Sequence, residues 1–231
     1  MPKLTYVGHS AFLLEDDHGN VVAIDPFITG NPVATISADD VQPNTILITH
    51  AHNDHVGDAV ELAKRTNAKT IAIVELADWL ESQGTPEVVG INHGGTTAFS
   101  GGTVKMVPAW HTSSYSHGEE RVAHGVPAGL IVRFGGRTFY FAGDTALFGD
   151  MRLIGDEGID VAILPIGDHF TMGPDDAARA AEFVAAKTVI PCHYNTFPLI
   201  AQDDQAFRAK VAKRAPQSDV VVLAPGESYT V

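Results

Sequence analysis

Four side chains that can bind a metal ion lie within six residues of the sequence: His50, His52, Asp54 and His55. They follow the apolar segment Ile46–Thr49, which is typical of a short buried strand. Residues two apart point to the same side of an extended backbone, so His50 and His52 can converge on one ion, whereas on a helix they would diverge by roughly 200°. Imidazole and carboxylate groups bind zinc and similar divalent ions. The spacing therefore predicts a metal site at the end of a strand.

A centre with two ions needs more ligands than this run supplies, and the sequence offers them elsewhere. Each of four further residues follows a predicted apolar strand: His111 after Thr103–Val107, Asp144 in Phe-Ala-Gly-Asp-Thr, His193 in Pro-Cys-His-Tyr, and Asp25 in Ile-Asp-Pro. One sheet edge can gather all of them. Taken singly, such an aspartate is more often a turn residue and such a histidine a structural one. The prediction therefore depends on the whole set.

Composition narrows the class of protein. The 231 residues are enough for one large domain with a real core. Lys plus Arg number 15 and Asp plus Glu 28, and the net charge of −13 argues against a protein that coats nucleic acid or binds anionic membranes. The single cysteine, Cys192, excludes an intramolecular disulfide and a cysteine-based zinc knuckle. Because no apolar run is long enough to span a bilayer and no secretory leader is recognisable, we expect a cytoplasmic protein.

Strands alternate with helices along most of the chain, which favours two sheets packed face to face with helices outside. We expect the two halves to meet near residue 115. Residues 110–127 lack apolar periodicity and are predicted to form an irregular loop. The segments Val220–Leu223 and Ser228–Val231 are predicted to form a closing strand pair. The predicted helices are Asp58–Arg65, with Asp58 and Glu61 spaced as a capping box, Glu75–Gln83, a helix near Asp150–Gly155, Asp175–Ala186 and Asp204–Arg214.

The complete set of candidate ligands resembles that of the metallo-β-lactamase-fold superfamily. This resemblance covers the whole chain and implies an αββα sandwich, one domain over residues 1–231 with two pseudo-equivalent halves. Three further motifs, Tyr6–Ser10, Gly125–Gly129 and Gly167–Pro174, are similar to a bacterial and archaeal branch of metal-dependent hydrolases related to the L-ascorbate-6-phosphate lactonases.

The resemblance also implies how the ligands divide. One ion would be held by His50, His52 and His111. A second would be held by Asp54, His55 and His193, with Asp144 bridging the two or binding the second. Asp25 is implied as a carboxylate that orients a ligand histidine, since the second ring nitrogen of a ligand imidazole needs a partner. Zinc is the expected metal, although manganese, nickel and iron also suit such ligands.

Two more histidines are weighed individually. His9 either contacts a metal ligand without binding the ion itself, or is a core histidine of the first strand. The sequence leaves both readings open. His169 follows the predicted strand Val161–Ile166 and precedes a helix that starts at Pro174. We expect it to face the same cavity as His193 and to act with Asp54 in catalysis, rather than only to fix its loop.

These features predict an enzyme that activates water with a dinuclear metal centre. The expected substrate is a small ester or lactone, with or without a phosphate group. A phosphodiesterase acting on a small molecule or nucleotide is the alternative enzyme, because the same centre attacks phosphorus. A non-enzymatic metal-binding protein is the alternative of another class. The expected partner is a small-molecule substrate, without membrane or long nucleic acid, and homo-oligomerisation stays open.

Overall fold

The computed structural model describes all 231 residues and consists of two seven-stranded sheets, a two-stranded hairpin and six α-helices. The strands are β1 (Lys3–Gly8), β2 (Ala11–Glu15), β3 (Val21–Ile24), β4 (Thr45–Leu47), β5 (Lys69–Ile73), β6 (Glu87–Ile91), β7 (Thr96–Phe99), β8 (Gly102–Pro108), β9 (Ser114–His117), β10 (Glu120–Ala123), β11 (Ala128–Phe134), β12 (Arg137–Phe141), β13 (Val161–Pro165), β14 (Thr188–Cys192), β15 (Asp219–Val220) and β16 (Ser228–Thr230). The helices are α1 (Asn53–Val56), α2 (Ala59–Thr66), α3 (Val74–Ser82), α4 (Met151–Gly155), α5 (Pro174–Val184) and α6 (Asp204–Arg214).

The two sheets repeat one plan. The first has the strand order β16-β1-β2-β3-β4-β5-β6, antiparallel from β16 to β3 and parallel from β3 to β6. The second has the order β15-β14-β13-β12-β11-β8-β7, antiparallel from β7 to β12 and parallel from β12 to β15. Parallel neighbours require a crossover connection, and α2 to α6 lie in these crossovers. Each half is thus an antiparallel run followed by helix–strand units.

The core lies between the sheets and beneath the helices. Phe12 of the first sheet meets Phe141 of the second edge to face, with ring centroids 5.8 Å apart. A separate buried layer packs the other face of the second sheet, including Tyr140, against Phe207 of α6. Helix, sheet, sheet and helix therefore form four layers, and the predicted αββα sandwich is confirmed. None of the helices combines the length and the apolar character needed to cross a membrane.

The chain changes sheets earlier than expected. It leaves the first sheet after Ile91 and enters the second at Thr96, so the expected junction near residue 115 does not coincide with this crossing. The predicted closing strand pair is wrong, because β15 pairs with β14 and β16 pairs with β1 at the open edge of the first sheet. Two short neighbouring strands suggest a hairpin locally, but the unpaired sheet edges offer each one a longer partner.

Two local predictions are also wrong. Residues 110–127 contain the hairpin of β9 and β10, rather than only an irregular loop. The capping box of α2 does not form, since the side chain of Asp58 makes no cap hydrogen bond to its own helix. Its Oδ2 instead accepts hydrogen bonds from the amides of Ile28 and Thr29, at 2.9 and 2.8 Å. Tertiary packing places these loop amides within reach of a carboxylate that the sequence pattern assigns to the helix.

Candidate metal centre

The candidate ligands follow the ends of strands that run the same way within each sheet. His9 comes directly after β1, and Asp25 directly after β3, which runs parallel to β1 because β2 is antiparallel to both. His111 follows β8, Asp144 follows β12 and His193 follows β14. The predicted gathering of strand-end residues at one edge of the sandwich is therefore present.

Asp54 and His55 lie on α1, the single turn of helix that begins after His52. This turn ends at Gly57, with φ of 44°, where an added Cβ would lie 2.4 Å from the carbonyl oxygen of Pro26. Any side chain at this position would collide with the loop that follows Asp25. The glycine thus allows the helix carrying two candidate ligands to pack closely against the strand end carrying a third candidate residue.

The candidate ligand atoms form two groups, and within each group all atoms lie within 4.8 Å of one another. One group contains His50, His52, His111 and Asp144, and the other contains His9, Asp54, His55 and His193. The first group includes the three histidines expected for the first ion. The second includes the three residues expected for the second ion, together with His9, for which the sequence left two readings open.

Asp144 lies between the two groups. Its Oδ2 is 3.5 Å from His111 Nε2 and 3.1 Å from His193 Nε2. Its Oδ1 is 3.3 Å from His55 Nε2. One carboxylate therefore reaches histidines of both groups, which is the arrangement that a bridging ligand requires.

Partners on the second ring nitrogen orient the histidines. Asp25 Oδ2 lies 2.8 Å from His55 Nδ1 and accepts a hydrogen bond of 2.6 Å from the hydroxyl of Thr49. Because that hydroxyl donates its only hydrogen to Asp25, its oxygen accepts from His50 Nδ1 at 3.0 Å. His55 Nε2 is left for a ligand, whereas His50 Nε2 lies 2.9 Å from Nδ1 of the candidate ligand His52. Asp25 thus occupies the position implied for a carboxylate that orients a ligand histidine.

His9 is fully buried and touches Asp54 rather than the apolar core alone. Its Nε2 lies 3.0 Å from Asp54 Oδ2, and its Nδ1 lies 3.0 Å from Thr196 Oγ1. The contact favours a role in holding Asp54 over a purely structural role. Its place directly after β1, like that of the other candidate residues after their strands, is the sequence signal that singles out His9.

Two buried atoms test whether the residues fit a metal ion. His55 Nε2 and Asp144 Oδ1 face each other, yet neither has a hydrogen-bond partner. Leaving such atoms unsatisfied in the interior costs on the order of 1–3 kcal/mol each. A divalent ion satisfies both, and histidine nitrogens with carboxylate oxygens are a donor set that zinc, manganese and nickel accept. The residues therefore fit a metal centre.

The electrostatics of the metal-free site also suit a cation. Burial, together with nearby histidines, lowers the pKa of His9 and His52 to about 4, so both keep a free lone pair at neutral pH. Burial also opposes charge on His55, but the carboxylates of Asp144 and Asp25 outweigh it and raise the pKa of His55 well above its usual value. Without metal, His55 is therefore protonated, and its Nε2 faces Asp144 Oδ1 at 3.3 Å without the geometry of a hydrogen bond. A metal ion at His55 has to displace this proton.

The centre opens into a cavity of about 330 Å³. His52, Asp54, His111, Asp144 and His193 form the metal-binding side of its wall. The remainder was not predicted from the sequence and includes Asn53, Ser114, Ser116, Arg121 and Phe170. Residues 111–117 contain a single aromatic residue, Tyr115, and show no alternation of polar and apolar residues. The glycine at position 118, where the hairpin turns with a φ of 62°, is the local signal that could have revealed this hairpin wall.

The structure separates the two residues expected to act in catalysis. Asp54 lines the cavity, with 35% of its side chain exposed. His169 is exposed on the loop after β13, and its ring packs edge to face on Phe170 with centroids 4.5 Å apart. Phe170, rather than His169, is part of the cavity wall. A catalytic role for His169 stays a prediction. Cys192 is a free cysteine and is buried beside His193.

Comparison with known proteins gives a consistent assignment. A family model described as "Beta-lactamase superfamily domain" matches residues 20–194. A metal-dependent hydrolase of Thermus thermophilus is 49% identical over 227 residues, covering 98% of each chain. A second, from Geobacillus thermodenitrificans, is 50% identical over 228 residues with the same coverage.

A solved structure agrees with these sequence matches. Igni18, described as a metallo hydrolase from the hyperthermophilic archaeon Ignicoccus hospitalis, superposes with a TM-score of 0.88 and is 40% identical, covering 99% of this chain and 97% of that one. Its similarity extends across both sheets and all the strand ends that carry candidate ligands. The protein is a metal-dependent hydrolase that belongs to the metallo-β-lactamase superfamily and, within it, to the UPF0173 family.

Proposed function

We propose that the protein hydrolyses a small ester or lactone, with or without a phosphate group, at a centre of two divalent metal ions. The observation that carries this proposal is the position of Asp144 between two groups of ligands. When bound, two such ions lower the pKa of water and stabilise negative charge that develops during hydrolysis. Seven candidate ligands exceed the four that one tetrahedral ion uses. Zinc is the proposed metal, with manganese, nickel and iron as alternatives.

Asp54 is the proposed catalytic carboxylate. Burial opposes its charge, but the hydrogen bond from His9 and the charge of His55 outweigh this effect and hold the pKa of Asp54 well below its usual range. The group is therefore ionised at neutral pH. Since its side chain is partly exposed to the cavity, its carboxylate can accept a hydrogen bond from the attacking water and orient it toward the substrate.

The cavity supports a small substrate. Its volume of about 330 Å³ is near the lower end of the range of roughly 300–1,000 Å³ for small-molecule sites. Its wall is mostly polar, with Phe170 as an apolar surface. A long polymer or a bulky lipid finds neither the length nor the apolar area that it needs there.

A phosphodiester of a small molecule or nucleotide is the second candidate substrate. Arg121 and Phe170 favour it, because a guanidinium binds phosphate oxygens and an exposed aromatic ring stacks on a base. This candidate uses the same centre and differs only in the atom attacked. The non-enzymatic alternative has no comparable support, since the relatives are named as hydrolases.

A substrate panel tests the proposal. Protein reconstituted with zinc, manganese or nickel is assayed on lactones, p-nitrophenyl esters and bis-p-nitrophenyl phosphate. We expect turnover of the esters or lactones that depends on added metal and is lost in Asp144→Asn. Turnover confined to the phosphodiester would replace the first candidate with the second. Absence of turnover on all three classes with both ions bound would refute both candidates.

A further inference from the structure

The hairpin beside the metal centre carries a cationic side chain, Arg121, to which the proposed hydrolysis of an ester or lactone assigns no role. Arg121 of β10 pairs directly with Ser116 of β9, and both line the cavity with Ser114. Residues paired across an antiparallel ladder, and residues two apart on one strand, project from the same face. These three side chains therefore share the face turned to the cavity. On the opposite face, the ring of Tyr115 packs on Trp79 with centroids 4.5 Å apart.

Asn53 fixes the hairpin to the metal centre. Its Oδ1 accepts a hydrogen bond of 2.9 Å from the backbone amide of Ser116, and its Nδ2 donates one of 3.0 Å to the carbonyl oxygen of the same residue. Asn53 itself stands between the candidate ligands His52 and Asp54 in the sequence. This two-point contact sets the position of the hairpin that carries Arg121 relative to the candidate ligands His52 and Asp54.

The guanidinium of Arg121 has no acidic partner. Its Nε donates to Ser116 Oγ at 3.3 Å, and the side chain is exposed. By contrast, Arg133 and Arg214 form ion pairs with Glu157 and Glu182. In a chain of net charge −13, a cavity arginine without a carboxylate partner is available to an anionic ligand. Its two terminal nitrogens are free for that purpose.

Charge divides the cavity into two sides. Arg121 is the only lysine or arginine in the wall, and the acidic side chains there are Asp54 and Asp144 at the metal centre. A planar guanidinium binds a carboxylate or a phosphate through two parallel hydrogen bonds, and the hydroxyls of Ser114 and Ser116 add donors beside it. An anionic group of the substrate therefore fits against the hairpin.

We propose that Arg121 is the residue that recognises the substrate, and that this substrate carries an anionic carboxylate or phosphate group remote from the ester or lactone bond. The inference rests on the proposed function, because that function puts the scissile bond at the metal centre. Arg121 determines specificity, and the metal ligands and Asp54 carry out the hydrolysis. A neutral ester is then a poor substrate.

A matched pair of esters tests this specificity. Mono-p-nitrophenyl adipate and p-nitrophenyl hexanoate share a leaving group and a six-carbon acyl chain and differ in the terminal carboxylate. We expect Arg121→Gln to lower kcat/KM for the adipate ester by about 10- to 100-fold, the effect of losing a hydrogen-bonded charge pair, and to leave the hexanoate ester within about twofold. Arg121→Lys keeps the charge without the two-point geometry and should lose less.

Arg208→Gln is the matched control. It removes the same charge from an exposed position on α6, and we expect no change on either ester. Equal losses of kcat/KM on both esters in Arg121→Gln would overturn the inference. So would a loss of kcat/KM for the adipate ester in Arg208→Gln as large as that in Arg121→Gln.

A binding measurement keeps this test separate from the proposed function. Adipamate, hexanamide and 5-phosphonopentanamide are titrated into the metal-loaded protein and followed by NMR. We expect the two anions to bind more tightly than hexanamide, with the preference lost in Arg121→Gln but kept in Arg208→Gln. The tighter of the two anions tells a carboxylate substrate from a phosphorylated one. Charge-selective binding without ester turnover refutes only the proposed reaction, whereas turnover or binding without charge selectivity refutes only the role of Arg121.

Discussion

The backbone amide of His193 donates a hydrogen bond of 2.7 Å to the carbonyl oxygen of His9. His9 follows β1 of the first sheet and His193 follows β14 of the second, so this bond joins the two sheets at the metal centre. Both residues have positive φ, 60° and 51°, and their rings lie 4.0 Å apart. Such backbone conformations cost on the order of 1–3 kcal/mol each and are characteristic of functional sites. His9, which contacts Asp54, and the candidate ligand His193 come from different sheets and are thus held against each other.

His9→Asn should weaken metal binding without unfolding the protein. Asparagine tolerates a left-handed backbone, so the variant keeps the conformation at φ 60° but loses the imidazole contact to Asp54. We expect the affinity for the second ion to fall by about 10- to 100-fold, with a melting temperature near that of the wild type. A chromophoric chelator titration measures the affinity.

His9→Ala is the companion variant. Alanine carries the backbone strain of this positive φ, roughly 1–2 kcal/mol, without the local hydrogen bonding by which asparagine tolerates it, so this variant should melt at a lower temperature than His9→Asn. Wild-type metal affinity in His9→Asn would show that His9 does not hold the second site.

Asp144→Asn should impair the centre more than Asp25→Asn. Asp144 contacts histidines of both ligand groups, whereas Asp25 contacts one candidate ligand, His55, at the ring nitrogen away from the centre, and otherwise Thr49. After reconstitution with excess metal, we expect two ions per chain in the wild type, the larger loss in the Asp144 variant, and a smaller loss in the Asp25 variant. Elemental analysis counts the ions. Equal retention in the two variants contradicts this order, and at most one ion in the wild type contradicts the dinuclear centre.

Acid should destabilise the metal-free protein between about pH 6.5 and 4. Burial and the neighbouring His193 lower the pKa of His9 from 6.5 to about 4. In this window the unfolded chain binds a proton that the folded chain does not, so the stabilisation is complete above pH 6.5 and decreases as the pH falls toward 4. The fully buried His9 alone corresponds to about 3 kcal/mol, at roughly 1.4 kcal/mol per pKa unit.

Three other buried or half-buried histidines contribute to the loss of stability between pH 6.5 and 4. The pKa of His50, His52 and His111 is lowered as well, with burial as the main cause. His55, whose pKa is raised, is protonated in both states below pH 6.5 and adds no slope there. Thermal melting in a chelating buffer from pH 7.5 to 4 measures the effect, and His9→Asn should flatten the curve. A wild-type melting temperature independent of pH over this range is the contrary result.

His169→Ala tests the catalytic role predicted from the sequence. The side chain is exposed and packs on Phe170 of the cavity wall, so its removal should leave the melting temperature and both ions unchanged. If the imidazole donates to the substrate, kcat falls by about 10²- to 10⁴-fold. His18→Ala, at an exposed turn, is the control. Loss of stability or metal with normal turnover per bound ion would show a structural role.

The sequence alone determined the chemistry and the plan of the fold. His50, His52, Asp54 and His55 are neighbours in the chain, and the remaining ligands each follow a short apolar segment, so strand direction was enough to predict one shared edge. Alternating strands and helices were enough to predict two layered sheets. These are local or periodic signals, which a single chain records directly.

Only the tertiary structure decided how distant segments meet. The pairing of β16 with β1, the contact of His9 with Asp54 and the hairpin that carries Arg121 all join segments far apart in the chain or without apolar periodicity. Asp58 shows the reason: a local pattern favoured a helix cap, yet the amides of Ile28 and Thr29 were brought closer by packing. Long-range contacts depend on the relative position of whole elements, and residue spacing within one element does not contain that information.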